Sequence, residues 1–302
     1  MPARARSCRP EPDNPLSGAA VPLVVSVRDL VYSASVEGAL AFSRDRLIVA
    51  SDYMAACARA LFARFRPLPP DALRVVRNGF SVEELRPRDP RRMRAELRLP
   101  DSAIALLYPH RTDPAKGLVQ VMRAVRWLKT LLPAATYARL RLLVPISSRW
   151  EAPPGRSAHG PRSTPWEQAI AMAEDLGVED RLHYHPWVPV DRLGEYYSAG
   201  AATLCVGDFV EAFGNVHVES ELCGTPAIVS RVGAQRTVLP DDLVRKVDYG
   251  DHEAAAEHLV EVIGRSDRSG PELVDHVTRH YGLAAMLAGY EEALLKCRRG
   301  PE

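Results

Sequence analysis

Two glutamates and two basic residues have the types and spacing of a binding site. Glu211 and Glu219 are separated by seven residues in the stretch D-F-V-E-A-F-G-N-V-H-V-E-S. Arg111 and Lys116 are separated by four residues, and Gly117 follows them. Fixed cations stabilise negative charge on a bound group. Taken alone, the basic pair would more readily be solvated side chains than an anion site, and the two glutamates alone could equally be solvated side chains of an ordinary helix.

The segment around the glutamates predicts a strand, a sharp turn, a helix, a tight turn and a second strand. The apolar run 201–206 is typical of a buried strand. Gly214 lets the backbone approach a bound group where the helix begins, and the free N–H groups of a helix N-terminus can bind an anion. Gly224 predicts the end of that helix. Glu211 then lies just before the helix, and Glu219 lies about two turns into it.

A second strand-to-helix connection carries the basic pair. The run 104–108 predicts a strand, Asp113 is a good helix N-cap, and Pro114 is a good first helical residue. Arg111 would then lie in the loop, and Lys116 would lie in the first turn of the helix. Both would be at the carboxyl edge of a sheet, where open α/β sheets bind ligands. A cation in a first turn opposes the helix dipole, and this small cost is explained if an anion binds there.

These two segments resemble two motifs of a large enzyme family. The paired glutamates, the Phe213-Gly214 between them and the Gly-Thr-Pro after the helix are similar to the E-x7-E motif of retaining nucleotide-sugar glycosyltransferases. Arg-x4-Lys-Gly after a strand resembles the family's G-R-x4-K-G element, although His110 stands where the family has glycine. This family is the glycosyl transferases group 1. Its members have the GT-B fold, in which two Rossmann-like domains face each other across a cleft.

The resemblance implies a role for each of these side chains. It implies that Arg111, Lys116 and Glu211 are catalytic. It implies that four other residues bind the donor, namely Phe213, Gly214, Asn215 and Glu219. The cations would neutralise the departing diphosphate, Glu211 would face the donor sugar, and Glu219 would accept hydrogen bonds from the ribose. No D-x-D motif is convincing, so we expect no metal and no cofactor, with a nucleotide-diphosphate sugar as substrate and retention of the anomeric configuration.

The predicted fold class is α/β of the GT-B type, with a Rossmann-like C-terminal domain containing a parallel sheet and a partial N-terminal Rossmann-like domain. The predicted divisions are a disordered start at 1–20, a remnant of the acceptor-side domain at 21–85, a linker at 86–100, a nucleotide-sugar-binding domain at 101–278, and a terminal helix at 279–302 that packs back on the N-terminal part. The family's first domain normally begins with a strand and a glycine-rich loop. No such loop is found here, so we expect an incomplete first domain.

Composition limits the remaining functions. The 302 residues carry a formal net charge of +1. The five cysteines are scattered without C-x-x-C spacing, which suits a reducing cytoplasm and excludes a zinc-ribbon pattern. His183 and His185 alternate along a strand but lack a third metal ligand. The arginines of 86–98 lack interleaved aromatic residues, so we expect no nucleic-acid partner, although they would suit a weak peripheral contact with an anionic membrane.

Three functions remain open at this point. The first is an active glycosyltransferase with an acceptor that the sequence does not identify. The second is a truncated transferase that binds the donor but is inactive. The third is a GT-B relative that hydrolyses or epimerises a nucleotide sugar. Turnover of the donor with and without an acceptor separates these three functions.

Overall fold

The computed structural model describes residues 24–27, 46–64, 67–69, 71–111, 116–146, 165–265 and 269–295. The chain divides into two compact units. The first unit contains residues 1–79, 210–213 and 281–302, and the second contains residues 80–209 and 214–280. The predicted disordered start, residues 1–20, lies outside the described residues.

The first unit contains a small parallel sheet. Its three strands are Val24–Val27 (β1), Arg46–Val49 (β2) and Leu73–Val75 (β3), in the order β1-β2-β3. Its described helices are Asp52–Ala63 (α1) and Leu283–Leu295 (α10). Ser51 caps α1 as the sequence predicts, because its hydroxyl accepts a hydrogen bond from the Met54 amide at 3.1 Å. The buried guanidinium of Arg46 donates to the Ala293 carbonyl of α10 at 2.5 Å.

The second unit contains a parallel sheet of six strands. They are Ile104–Leu107 (β4), Leu140–Ile146 (β5), Leu182–Pro186 (β6), Ala202–Cys205 (β7), Ala227–Ser230 (β8) and Arg245–Val247 (β9). The order is β6-β5-β4-β7-β8-β9, and every pair is parallel. This confirms the α/β class and the parallel sheet predicted for the C-terminal part.

Helices connect these strands. They are Arg91–Glu96 (α2), Leu118–Leu131 (α3), Ala134–Tyr137 (α4), Pro165–Leu176 (α5), Leu193–Ser198 (α6), Asn215–Leu222 (α7), His252–Arg265 (α8) and Pro271–Tyr281 (α9). The central strands are mostly apolar and are buried except at Ile104, as expected for a sheet covered on both faces. Among the helices that the structure describes, none combines the length and the apolar character needed to cross a bilayer.

The predicted linker at 86–100 is wrong. The chain divides between Gly79 and Phe80 instead. Helix α2 lies inside the predicted linker, and Met93, Leu97 and Leu99 are buried in an apolar cluster of the second unit. The sequence of this segment resembles a linker because it is rich in arginine and proline, and only three apolar side chains anchor it in the second unit.

Candidate functional site

The strand order of the second unit creates one position that favours ligand binding. Strands β4 and β7 are neighbours, and the chain continues from β4 towards one edge of the sheet and from β7 towards the other. In an open α/β sheet, ligands bind in the crevice at the carboxyl ends of such strands. The two loops that leave β4 and β7 carry His110, Arg111, Lys116 and the segment before α7. The sequence therefore placed its candidate residues on the two loops that meet at this point.

The two loops come into very close contact at Gly117. A Cβ atom built on Gly117 would lie 2.5 Å from the Gly207 Cα, and Gly117 has a φ of +86°. Gly117 is the N-cap of α3, and Lys116, just before it, has 3-10 helical backbone. Asp113 and Pro114, the predicted helix start, lie outside the described residues. Lys116 therefore lies beside the N-terminus of α3, and its predicted place in a first helical turn stays a prediction.

Lys116 lies against an aromatic side chain from the other loop. Its Nζ is 3.5 Å from the centroid of the Phe209 ring, which is a cation–π contact. Both side chains are half-buried. Sequence reasoning did not identify Phe209, although an aromatic residue shortly after a buried strand was available as a signal.

Arg111 is also half-buried in the loop after β4. Its main-chain carbonyl accepts a hydrogen bond from the Tyr108 hydroxyl at 3.0 Å. Tyr108 is completely buried, so this contact fixes the backbone at the base of the loop. The guanidinium is therefore carried by a backbone segment that the core holds in place.

Helix α7 begins without a side-chain cap. Gly214 is its N-cap with a φ of +89° and has no side chain that could cap the helix, and the first turn contains no acidic residue. Asn215, the first residue of the helix, is exposed. A helix N-terminus of this kind offers backbone N–H groups and a positive dipole end to an anion. The helix ends as predicted at Gly224, whose N–H donates to the Glu221 carbonyl at 3.0 Å.

Glu219 is half-buried and hydrogen-bonded within the second unit. The Tyr197 hydroxyl donates to its Oε2 at 2.8 Å. Burial raises the pKa of Glu219, and the hydrogen bond from Tyr197 opposes part of that rise. Burial and the nearby carboxylate raise the pKa of Tyr197 well above its usual value, so the phenol remains a donor. The second Oε atom is the one that a ligand hydroxyl could use.

Glu211 and Phe213 belong to the first unit. The Phe213 ring is buried edge-on against Tyr281, with 5.3 Å between centroids. The Ala212 carbonyl accepts a hydrogen bond from the Ser51 hydroxyl at 2.6 Å. Glu211 is half-buried in this anchored segment. The roles proposed for Glu211 and Phe213 stay predictions.

Comparisons with known proteins bear on this arrangement. Residues 160–269 match the family model described as Glycosyl transferases group 1. The matched region contains α7 and Glu219. Over 234 residues, the chain is 34% identical to a D-inositol 3-phosphate glycosyltransferase from Acidothermus cellulolyticus, and the alignment covers 73% of this chain and 49% of that protein. The chain spans about half the length of the curated relatives it matches.

Two solved structures illustrate the similarity of the fold. Anabaena Alr3699/HepE, in complex with UDP and glucose, has a TM-score of 0.72 at 15% identity, covering 91% of this chain and 71% of that one. Sucrose-phosphate synthase from Thermosynechococcus elongatus has a TM-score of 0.67 at 21% identity, covering 89% and 66%. At these identities the similarity concerns the fold, which is the α/β fold of GT-B glycosyltransferases over the covered part. The predicted fold class is therefore confirmed.

Proposed function

We propose that this chain is the donor-binding part of a glycosyltransferase that moves a sugar from a nucleotide-diphosphate donor to an acceptor hydroxyl with retention of configuration. The observation that carries the proposal is the meeting of two loops at the carboxyl ends of β4 and β7. One loop brings the cation of Lys116, and the other leads to the uncapped N-terminus of α7. A diphosphate needs such a concentration of positive charge and N–H donors.

The proposed chemistry follows from the charge that moves during transfer. When the bond between the sugar and the phosphate breaks, the electron pair leaves with the diphosphate. Arg111 and Lys116 would stabilise this developing charge, and the N–H groups near Gly214 and Asn215 would add to it. Glu219 would accept hydrogen bonds from the ribose, and Glu211 would face the donor sugar. No metal or other cofactor is part of this proposal.

The similar proteins indicate which nucleotide-sugar donor should be tested first. The Anabaena structure holds UDP and glucose, and the curated relatives are named D-inositol 3-phosphate glycosyltransferases. We therefore propose a uridine-diphosphate sugar as the first donor to test. A hydroxyl group of a phosphorylated polyol is the corresponding acceptor class.

Binding of UDP by calorimetry, followed by release of UDP from UDP-sugars with and without acceptor, tests the proposal. The wild-type chain should bind UDP, and Lys116→Ala should weaken that binding by about tenfold, because one charge-assisted contact is lost. Lys129→Ala, which removes an exposed lysine from the other end of α3, should have no effect. Absence of UDP and GDP binding by the wild-type chain would refute the proposal. UDP release that is independent of acceptor would indicate a hydrolase.

Glu219→Gln should weaken UDP binding by about tenfold, because a neutral amide oxygen accepts a ribose hydroxyl less strongly than a carboxylate does. Glutamine can still accept the hydrogen bond from Tyr197, so the fold should be kept. Glu174→Gln, an exposed glutamate on α5, serves as the control. An unchanged dissociation constant for the Glu219 variant would remove the ribose contact from the proposal.

The same contact should make UDP binding depend on pH. Since burial raises the pKa of Glu219 above the ordinary value of 4.5, the carboxylate is protonated at a higher pH than an exposed glutamate. Wild-type affinity should therefore fall as the pH is lowered through this raised pKa. The Glu219→Gln variant lacks the titrating group and should show a smaller fall, which calorimetry across the acidic range would measure.

A further inference from the structure

Two buried histidines belong to the segments that follow β4 and β7, one in a loop and one in α7, and the roles assigned above use neither of them. His110 follows β4 and is 7% exposed, and His217 lies in the first turn of α7 and is 0% exposed. His110 stands beside Arg111 in the chain, and its ring lies 5.1 Å from that of Tyr108, in an edge-on arrangement. Both histidines therefore occupy the walls of the proposed anion site.

Their ring nitrogens lack hydrogen-bond partners among the described residues. This holds for the Nε2 of His110 and for both the Nδ1 and the Nε2 of His217. Buried polar side-chain atoms in folded proteins nearly always have a partner, because an unsatisfied buried group destabilises the fold. These unsatisfied atoms, in the loop after β4 and in α7, point to a bound group that can accept one N–H from each neutral ring.

The position of the His217 ring indicates where the bound group would lie. A Cβ atom built on Gly214, the N-cap of α7, would be 3.0 Å from the His217 Cε1 and 3.1 Å from its Nδ1. The ring thus lies against the N-terminus of its own helix. The same built atom would also be 3.0 Å from the Gln235 Cγ, so only glycine at the N-cap allows this close packing.

Both rings are neutral in the free protein. Burial, with smaller contributions from Lys116, His217 and Arg111, lowers the pKa of His110 to about 3. Burial, with a smaller contribution from Lys246, lowers the pKa of His217 to about 3. The contribution of His217 to the pKa of His110 is in one direction only. A neutral imidazole has one N–H donor and one acceptor nitrogen, so it can donate to a phosphate oxygen without adding a buried charge.

We propose that His110 and His217 are additional donor-binding residues, which donate hydrogen bonds to the terminal phosphate of the nucleoside diphosphate at the N-terminus of α7. This inference rests on the proposed function and deepens it. It assigns the recognition of that phosphate to neutral groups as well as to cations. The free protein then carries unsatisfied polar groups that become paired when the ligand binds.

The matched test compares His217→Leu with His185→Leu. His185 is also buried, but its Nδ1 is bonded to the Pro186 carbonyl at 2.7 Å and its Nε2 to the Tyr196 hydroxyl at 3.2 Å. Leucine at 217 should raise the thermal midpoint of the free protein by about 3 °C, because it removes unsatisfied groups. Leucine at 185 should lower the midpoint, because it leaves the Tyr196 hydroxyl buried without a partner.

Calorimetry with UDP and UMP then separates binding from packing. His217→Leu should weaken UDP binding by about tenfold and leave UMP binding nearly unchanged, because UMP lacks the terminal phosphate. His185→Leu should leave the ratio of the two affinities unchanged. His217→Asn, which keeps a donor near the ring position of Nδ1, should recover most of the UDP affinity. His110→Gly, which installs the glycine of the resembled motif, should also lower the ratio.

The outcomes distinguish the two proposals. If the wild-type chain binds neither UDP nor GDP, the proposed function fails and this inference fails with it. If the wild-type chain binds UDP but both histidine variants keep the wild-type ratio of UDP to UMP affinity, the histidines are structural and only this inference is overturned. A fall in thermal midpoint for His217→Leu like that for His185→Leu, with an unchanged ratio, would have the same meaning.

Discussion

Replacing Arg111 with alanine is expected to lower kcat by about 100-fold and to change the KM for the nucleotide sugar far less. The diphosphate gains negative charge as the bond to the sugar breaks, so a fixed cation stabilises the transition state more than the ground state. The Arg111 carbonyl accepts a hydrogen bond from the buried Tyr108 hydroxyl, which anchors the main chain at Arg111. Steady-state kinetics with UDP- and GDP-sugars and an acceptor would measure both constants.

The matched control for this prediction is Arg123→Ala. Arg123 is an exposed arginine on α3 in the same unit, so its loss changes the net charge equally without touching the site. Its kcat should stay at the wild-type value. If Arg111→Ala raised only KM, Arg111 would bind the ground state and the transition state equally, and its transition-state role would be withdrawn.

Replacing Gly117 with alanine is expected to destabilise the second unit by about 3 kcal/mol. One part is the φ of +86°, which costs an L-residue about 1–2 kcal/mol. The other part is the contact with Gly207, because the new Cβ would lie 2.5 Å from a backbone atom that cannot rotate away. Overpacking of this kind typically costs about 1–3 kcal/mol. The variant should also bind UDP poorly, because Lys116 would move with the displaced loop.

Gly250→Ala separates the two contributions. Gly250 has a nearly equal φ of +88°, but nothing lies within 4 Å of a Cβ built there. Gly250→Ala should lower the free energy of unfolding only by the conformational cost of the positive φ, about 1–2 kcal/mol. Urea unfolding followed by tryptophan fluorescence reports on the second unit, because all four tryptophans fall within residues 80–209. If both variants lowered the free energy of unfolding by the same amount, the contact between Gly117 and Gly207 would not be tight in solution.

Much of the site could be predicted because its signals are local. The apolar runs predict β4 and β7, and glycines predict the turn into α7 and its end at Gly224. These features depend on residues within a few positions of one another. The spacing of apolar residues and the residue types of turns are therefore sufficient to predict them. The resemblance to the E-x7-E family then pointed to Lys116 and Glu219, and the structure has both in the second unit.

The tertiary structure alone decided which side chains meet. The order of the strands places the loop after β4 beside the loop after β7, about 100 residues later in the chain. From this neighbourhood comes the cation–π contact of Lys116 with Phe209. The packing of Gly117, the N-cap of α3, against Gly207 also results from the pairing of β4 with β7. No local pattern encodes these contacts, because each joins residues far apart in the sequence, and only the pairing of β4 with β7 brings them together.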